Sequence, residues 1–124
     1  MALLEYEWIT GSTLVEPALI DQAIMMITQW DSVIENNEFA FWLNKARNQA
    51  FPLKEVYAGY NFSNKAAISK AAALWKKSGC PYELALAFFE ENEDGKRKAI
   101  SIVQELGATA VYEKMKLEMR TAGI

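Results

Sequence analysis

At 124 residues the chain can bury a hydrophobic core without support from a metal or a disulfide, and it reads as one domain, residues 1–124. Apolar residues make up 52% of it against six glycines and three prolines, a balance that favours helices over a turn-rich sheet. The net charge of −3, with acids and bases interspersed, argues against nucleic-acid binding by this segment, which would need a basic face.

Cys80 is the one cysteine and there is no histidine. Intramolecular disulfides are therefore excluded, a reducing cytoplasm is the expected setting, and no metal or cofactor is expected. No run approaches the ~20 apolar residues of a membrane span, and the opening MALLEYEW carries acids where a signal peptide carries bases.

Residues 2–10 place Leu3, Leu4 and Trp8 on a helical face that stops at Gly11. Glu16-Pro17 opens a second helix, expected to run to about Trp30, with Leu19 or Ile20, Ala23 or Ile24, Ile27 and Trp30 at helical spacing and Met25 and Met26 widening its stripe. Asn36 and Asn37 are N-cap types before FAFWLNKARNQ, which ends at Phe51-Pro52 because the residue before proline is biased away from helix. In LKEVYAGYNFSN, Val56, Tyr57 and Tyr60 have helical spacing, but Gly59 and Ser63-Asn64 weaken any continuous helix.

The chain is organised around residues 71–89, AAALWKKSGCPYELALAFF. A helix with Ile68, Ala71, Ala72 and Trp75 inward ends in Lys76-Lys77, cations suited to its negative end. Gly79 closes it in the left-handed conformation, and Pro81 starts the next helix where a missing amide costs nothing. Glu83 then falls at the third position, among free amides. The following helix is apolar nearly all round and is expected to be central. A helix at 95–106, with Ala99, Ile102, Val103 and Leu106 inward, closes at Gly107. Thr109 is read as the cap of a last helix carrying Val111, Tyr112, Met115 and Met119 inward.

Leu74-Trp75-x-x-x-Gly79-x-Pro81 recurs 28 residues later as Ile102-Val103-x-x-x-Gly107-x-Thr109, each a helix, a glycine stop and a new helix start. Fixed-period helix pairs suggest stacked helical repeats, and a helical hairpin bundle gives similar punctuation. The expectation is all-α: seven or eight antiparallel helices in a tetratricopeptide-like array.

The same residues carry a family resemblance. Trp75, Gly79, Cys80, Pro81, Tyr82, Glu83, Ala85, Leu86, Ala87, Leu106, Gly107 and Ala108 match, residue by residue, a pattern from the C-terminal end of the tetratricopeptide-like region of large LuxR-type bacterial transcriptional regulators. FAFWL at 39–43 and Tyr60 resemble family features upstream. Two departures stand out: the family's Gly-Asp-Trp is replaced by Ala66-Ala67-Ile68, and the family's DNA-binding helix-turn-helix is not among these 124 residues, as expected of either an excised domain or a stand-alone relative. The resemblance implies a non-enzymatic module relaying partner or effector binding to a DNA-binding domain elsewhere. A stand-alone protein-interaction module is the alternative.

Site readings follow from the residue types. Gly79-Cys80-Pro81-Tyr82-Glu83 is a structural corner; Cys80 as a nucleophile would want a histidine base that the chain lacks. Trp42, Tyr57, Tyr60, Trp75 and Tyr82 are either core or the lining of a peptide groove. The first helix, with Leu3, Leu4 and Trp8 but no N-cap, leaves an apolar face that predicts a homodimer through Trp8 and Met25 or Met26.

Overall fold

The computed structural model describes residues 2–124. Among the described residues there are seven α-helices, one 3-10 turn and no strand. None of these helices is long and apolar enough to cross a membrane. The chain divides into two compact units, one ending at Tyr57 and the other running from Ala58 to Ile124.

The first unit holds α1 (Ala2–Thr10), α2 (Pro17–Ile27) and α3 (Val33–Arg47). Leu4 and Trp8 are the apolar inward positions of α1, one turn apart, and α1 packs on α3. Trp8 meets Trp42 at a tilted 5.9 Å between ring centroids, and Phe39 meets Phe51 edge-on at 5.4 Å. Such ring pairs contribute about 0.5–1.5 kcal/mol beyond the area they bury. In α2 only Ile20 and Ile27, two turns apart, are buried.

The helix bounds differ from expectation in this unit. α2 stops at Ile27 rather than Trp30, with Gln29 and Trp30 donating back to the carbonyls of Met26 and Ile27 in a tight turn. The N-cap of α3 is Ser32, not Asn36 or Asn37: its hydroxyl accepts from the Glu35 amide. Ser32 and Glu35 have the spacing of a capping box, so the helix begins one turn earlier than the asparagines suggest. It also ends before Phe51-Pro52, at Asn48, whose φ of 53° is the left-handed conformation that asparagine tolerates.

The second unit opens with the 3-10 turn Ala58–Tyr60, followed by α4 (Lys65–Lys77), α5 (Pro81–Phe89), α6 (Glu93–Glu105) and α7 (Thr109–Thr121). Each helix from α4 onward packs on its successor. Asn64 and Asn92 cap α4 and α6 by accepting from the amides of Ala67 and Gly95. α5 packs on α4 and on α6, with Ala85, Leu86, Ala87 and Phe89 buried, which matches its nearly continuous apolar surface. Against α5, Gly95 is the contact that admits no side chain. A Cβ there would stand 2.6 Å from the Phe88 carbonyl oxygen and 2.5 Å from Glu91 Cβ.

The corners repeat. Gly79 and Gly107 have φ of 70° and 73°. Cys80 donates its amide to the Trp75 carbonyl and Ala108 to the Val103 carbonyl, both at 3.0 Å. This is the bonding of a Schellman closure, and the residue after each glycine stands at once at the N-cap of the next helix. Thr109 is accordingly the first residue of α7 and not its cap. Leu106, expected inward, is the exposed C-cap of α6.

Candidate functional site

The five aromatic residues of the expected groove fall in both units: Trp42 and Tyr57 in the first, Tyr60, Trp75 and Tyr82 in the second. Trp42 is buried in the α1–α3 contact. Trp75 is buried on α4, where its indole Nε1 donates to the Gly59 carbonyl at 2.8 Å and its ring receives Tyr60 edge-on at 5.6 Å. That hydrogen bond ties the 3-10 turn to α4. Tyr57, Tyr60 and Tyr82 are half-buried.

At the corner, Cys80 Sγ lies 3.8 Å from the Ser78 carbonyl, a weak thiol contact, and Pro81 occupies the first turn of α5. Lys96 closes the other end of that helix. Its ammonium donates to the Phe89 carbonyl at 2.5 Å and stands 4.6 Å from the centre of the Phe89 ring, a cation placed on the negative end of α5.

Two polar nodes in the first unit escaped the reading of the sequence. Glu7 is buried on α1. Its carboxylate accepts from Arg47 Nε at 2.7 Å and Nη2 at 2.9 Å, and from the amides of Leu14 and Val15 at 3.0 and 2.7 Å. Arg47 Nη2 also donates to the Val15 carbonyl. The Arg47 hydrogen bond is the largest influence on the Glu7 carboxyl. With the two amides and the guanidinium charge it outweighs burial and lowers the pKa from 4.5 to about 2. Glu7 raises the pKa of Arg47 in turn. The pair fixes the α1–α2 connection to α1 and α3. Since 40 residues separate its members, no local spacing announces it.

Asn37 is the second node, 1% exposed in the middle of α3. Its amide nitrogen donates to the carbonyls of Val33 and Glu55 at 2.8 and 2.9 Å, and its oxygen accepts from the Tyr57 amide at 2.9 Å. One side chain thus satisfies the backbone of the loop before the 3-10 turn. Asparagine inside a helix was the available signal, because such a residue is disfavoured there unless its amide bonds backbone groups.

Met25 and Met26 on α2 are 67% and 60% exposed, and Leu3 on α1 is 61%. Tyr6 and Leu19 are also outside. Trp8, the third residue of the expected self-association surface, lies inside at 4% exposure against Trp42. No group of three or more Cys, Asp or Glu among the described residues is placed to hold a metal ion. In comparisons with protein-family models, curated proteins and solved structures, the chain matches none.

Proposed function

We propose that this chain is a non-enzymatic helical-repeat interaction module, tetratricopeptide-like in architecture, and that it serves a cytoplasmic bacterial transcriptional regulator of LuxR type by relaying partner binding to a DNA-binding domain elsewhere. The observation that carries the interaction reading is the set of large apolar side chains left outside on α1 and α2: Leu3, Tyr6, Leu19, Met25 and Met26. Exposed apolar residues in such number on two short helices favour a docking surface over a solvated one, and methionine suits a surface that must adapt to a partner. The homodimer is the partner proposed for it. Support for the repeat architecture comes from the two corners 28 residues apart, which share their bonding and their left-handed glycine. The regulatory role rests on the resemblance of the Trp75 to Ala108 pattern.

The test is transcriptional. In the source organism, deletion of the coding region and a chromosomal M25E/M26E allele should shift the abundance of the same set of transcripts. Unchanged transcript levels in the deletion strain would remove the regulatory role and leave a stand-alone interaction module.

A further inference from the structure

The second unit contains a concavity of about 340 Å3 between α6 and α7 that none of the readings above uses. Its charged side chains are all of one sign: Arg97 from α6, Lys116 and Arg120 from α7, with no Asp or Glu among the lining residues. Its apolar lining is Ile100, Met119 and Ile124. Met119 is buried between the two helices, Ile100 is half-buried and Ile124 is exposed at the rim.

Neither Lys116 nor Arg120 is in an ion pair among the described residues. The Lys116 ammonium stands 5.4 Å from the centre of the Tyr112 ring. Arg97 is held by Glu93 one turn before it on α6, at the exposed surface. Two cations without carboxylate partners and a third with one thus surround an apolar floor. Like charges gathered at one cleft raise the local concentration of anions there, even in a chain of net charge −3.

We infer that this cleft binds a small amphipathic anion, a phosphate monoester with a short alkyl or aryl group, its phosphate between Lys116, Arg120 and Arg97 and its apolar group on Ile100 and Met119. Phosphate suits the lining because guanidinium groups grip it in bidentate fashion and an ammonium adds a point charge. The size decides between a small molecule and a peptide helix. The volume lies at the low end of the roughly 300–1,000 Å3 typical of small-ligand pockets. On α6 the lining covers only one turn, residues 97–101, about 6 Å of rise, too short for the repeated anchors of a docked helix. The inference is independent of the exposed residues on α1 and α2.

The test is an NMR titration of the 124-residue chain, following backbone amides, with hexyl phosphate, hexanol and inorganic phosphate as separate probes. Hexyl phosphate should give saturable shifts at residues 97–101 and 116–124, weakening as salt is raised. Each half-probe should bind at least roughly tenfold more weakly, since each lacks either the charge or the apolar contact. K116Q/R120Q should lose roughly tenfold or more in affinity, with shifts elsewhere unchanged because both side chains are exposed. E93Q, which frees Arg97, should bind more tightly than the parent. Absence of saturable shifts, equal affinity in K116Q/R120Q, or unaltered affinity in E93Q would overturn the assignment. So would binding to phosphatidylglycerol vesicles or to an acidic helical peptide without a saturable response to hexyl phosphate.

Discussion

Glu7 and Arg47 are joined through both carboxylate oxygens, by contacts of 2.7 and 2.9 Å, and together they hold the connection between the first two helices. The consequence is a defined pH dependence. A carboxyl whose folded pKa is lowered binds its proton more weakly in the native state, so its contribution to stability is complete above the unfolded value and is lost as pH falls through the folded one. For Glu7 the window lies between 4.5 and about 2. Replacing Glu7 with Gln should cost about 3 kcal/mol at pH 7, the low end for breaking a buried pair. The difference from the parent should shrink toward zero as pH approaches 2. Urea unfolding followed by tryptophan fluorescence across that range checks both statements. A pH-independent difference would show that Glu7 contributes by shape alone.

The two kinds of glycine should respond differently. Gly79 has φ of 70° and nothing within 4 Å of a would-be Cβ, so a side chain there meets backbone strain but no clash. Gly79→Val should cost roughly 1–2 kcal/mol, and Gly79→Asn much less, because asparagine tolerates this conformation. Gly95 has ordinary φ but no room, so Gly95→Ala forces α5 and α6 apart and should cost about 1–3 kcal/mol. Thermal unfolding of the three variants checks the order. An Asn variant at position 79 as damaged as the Val variant would contradict the conformational explanation. Cys80→Ser should leave the melting temperature nearly unchanged, since the thiol is half-buried and its contact with the Ser78 carbonyl is weak.

Much of the second unit was legible in the sequence because its signals are local. Gly79, Pro81 and Gly107 punctuate helices directly, and the Ile68, Ala71, Ala72 and Trp75 stripe is buried as its spacing requires. The first unit was harder. Asn37 looked like a cap and is a buried clamp, a role set by the carbonyl and amide of residues 55 and 57, which no spacing within α3 can reveal. Trp8 looked like the exposed anchor of a dimer and is core, because its neighbour Trp42 arrives from 34 positions away. The Ser32 cap was readable and was masked by the more conspicuous asparagine pair.

Asn37→Leu keeps the branched shape but removes all three hydrogen bonds to backbone. Two of the stranded groups, the Glu55 carbonyl and the Tyr57 amide, lie in a loop without other structure to take them. The expected loss is about 2 kcal/mol or more. Hydrogen exchange at the Tyr57 amide should accelerate well before that of α3 itself. Protection of Tyr57 equal to the parent's would mean that the loop is held by contacts other than this side chain.

The interaction reading turns on Met25 and Met26. Sedimentation equilibrium at micromolar concentration, run on the parent chain and on M25E/M26E, tests it most directly, since both side chains are outside and their replacement leaves the core of the unit intact. The parent should be a dimer and the double variant a monomer of unchanged helical content. A monomeric parent, or a dimer that survives both substitutions, would contradict it.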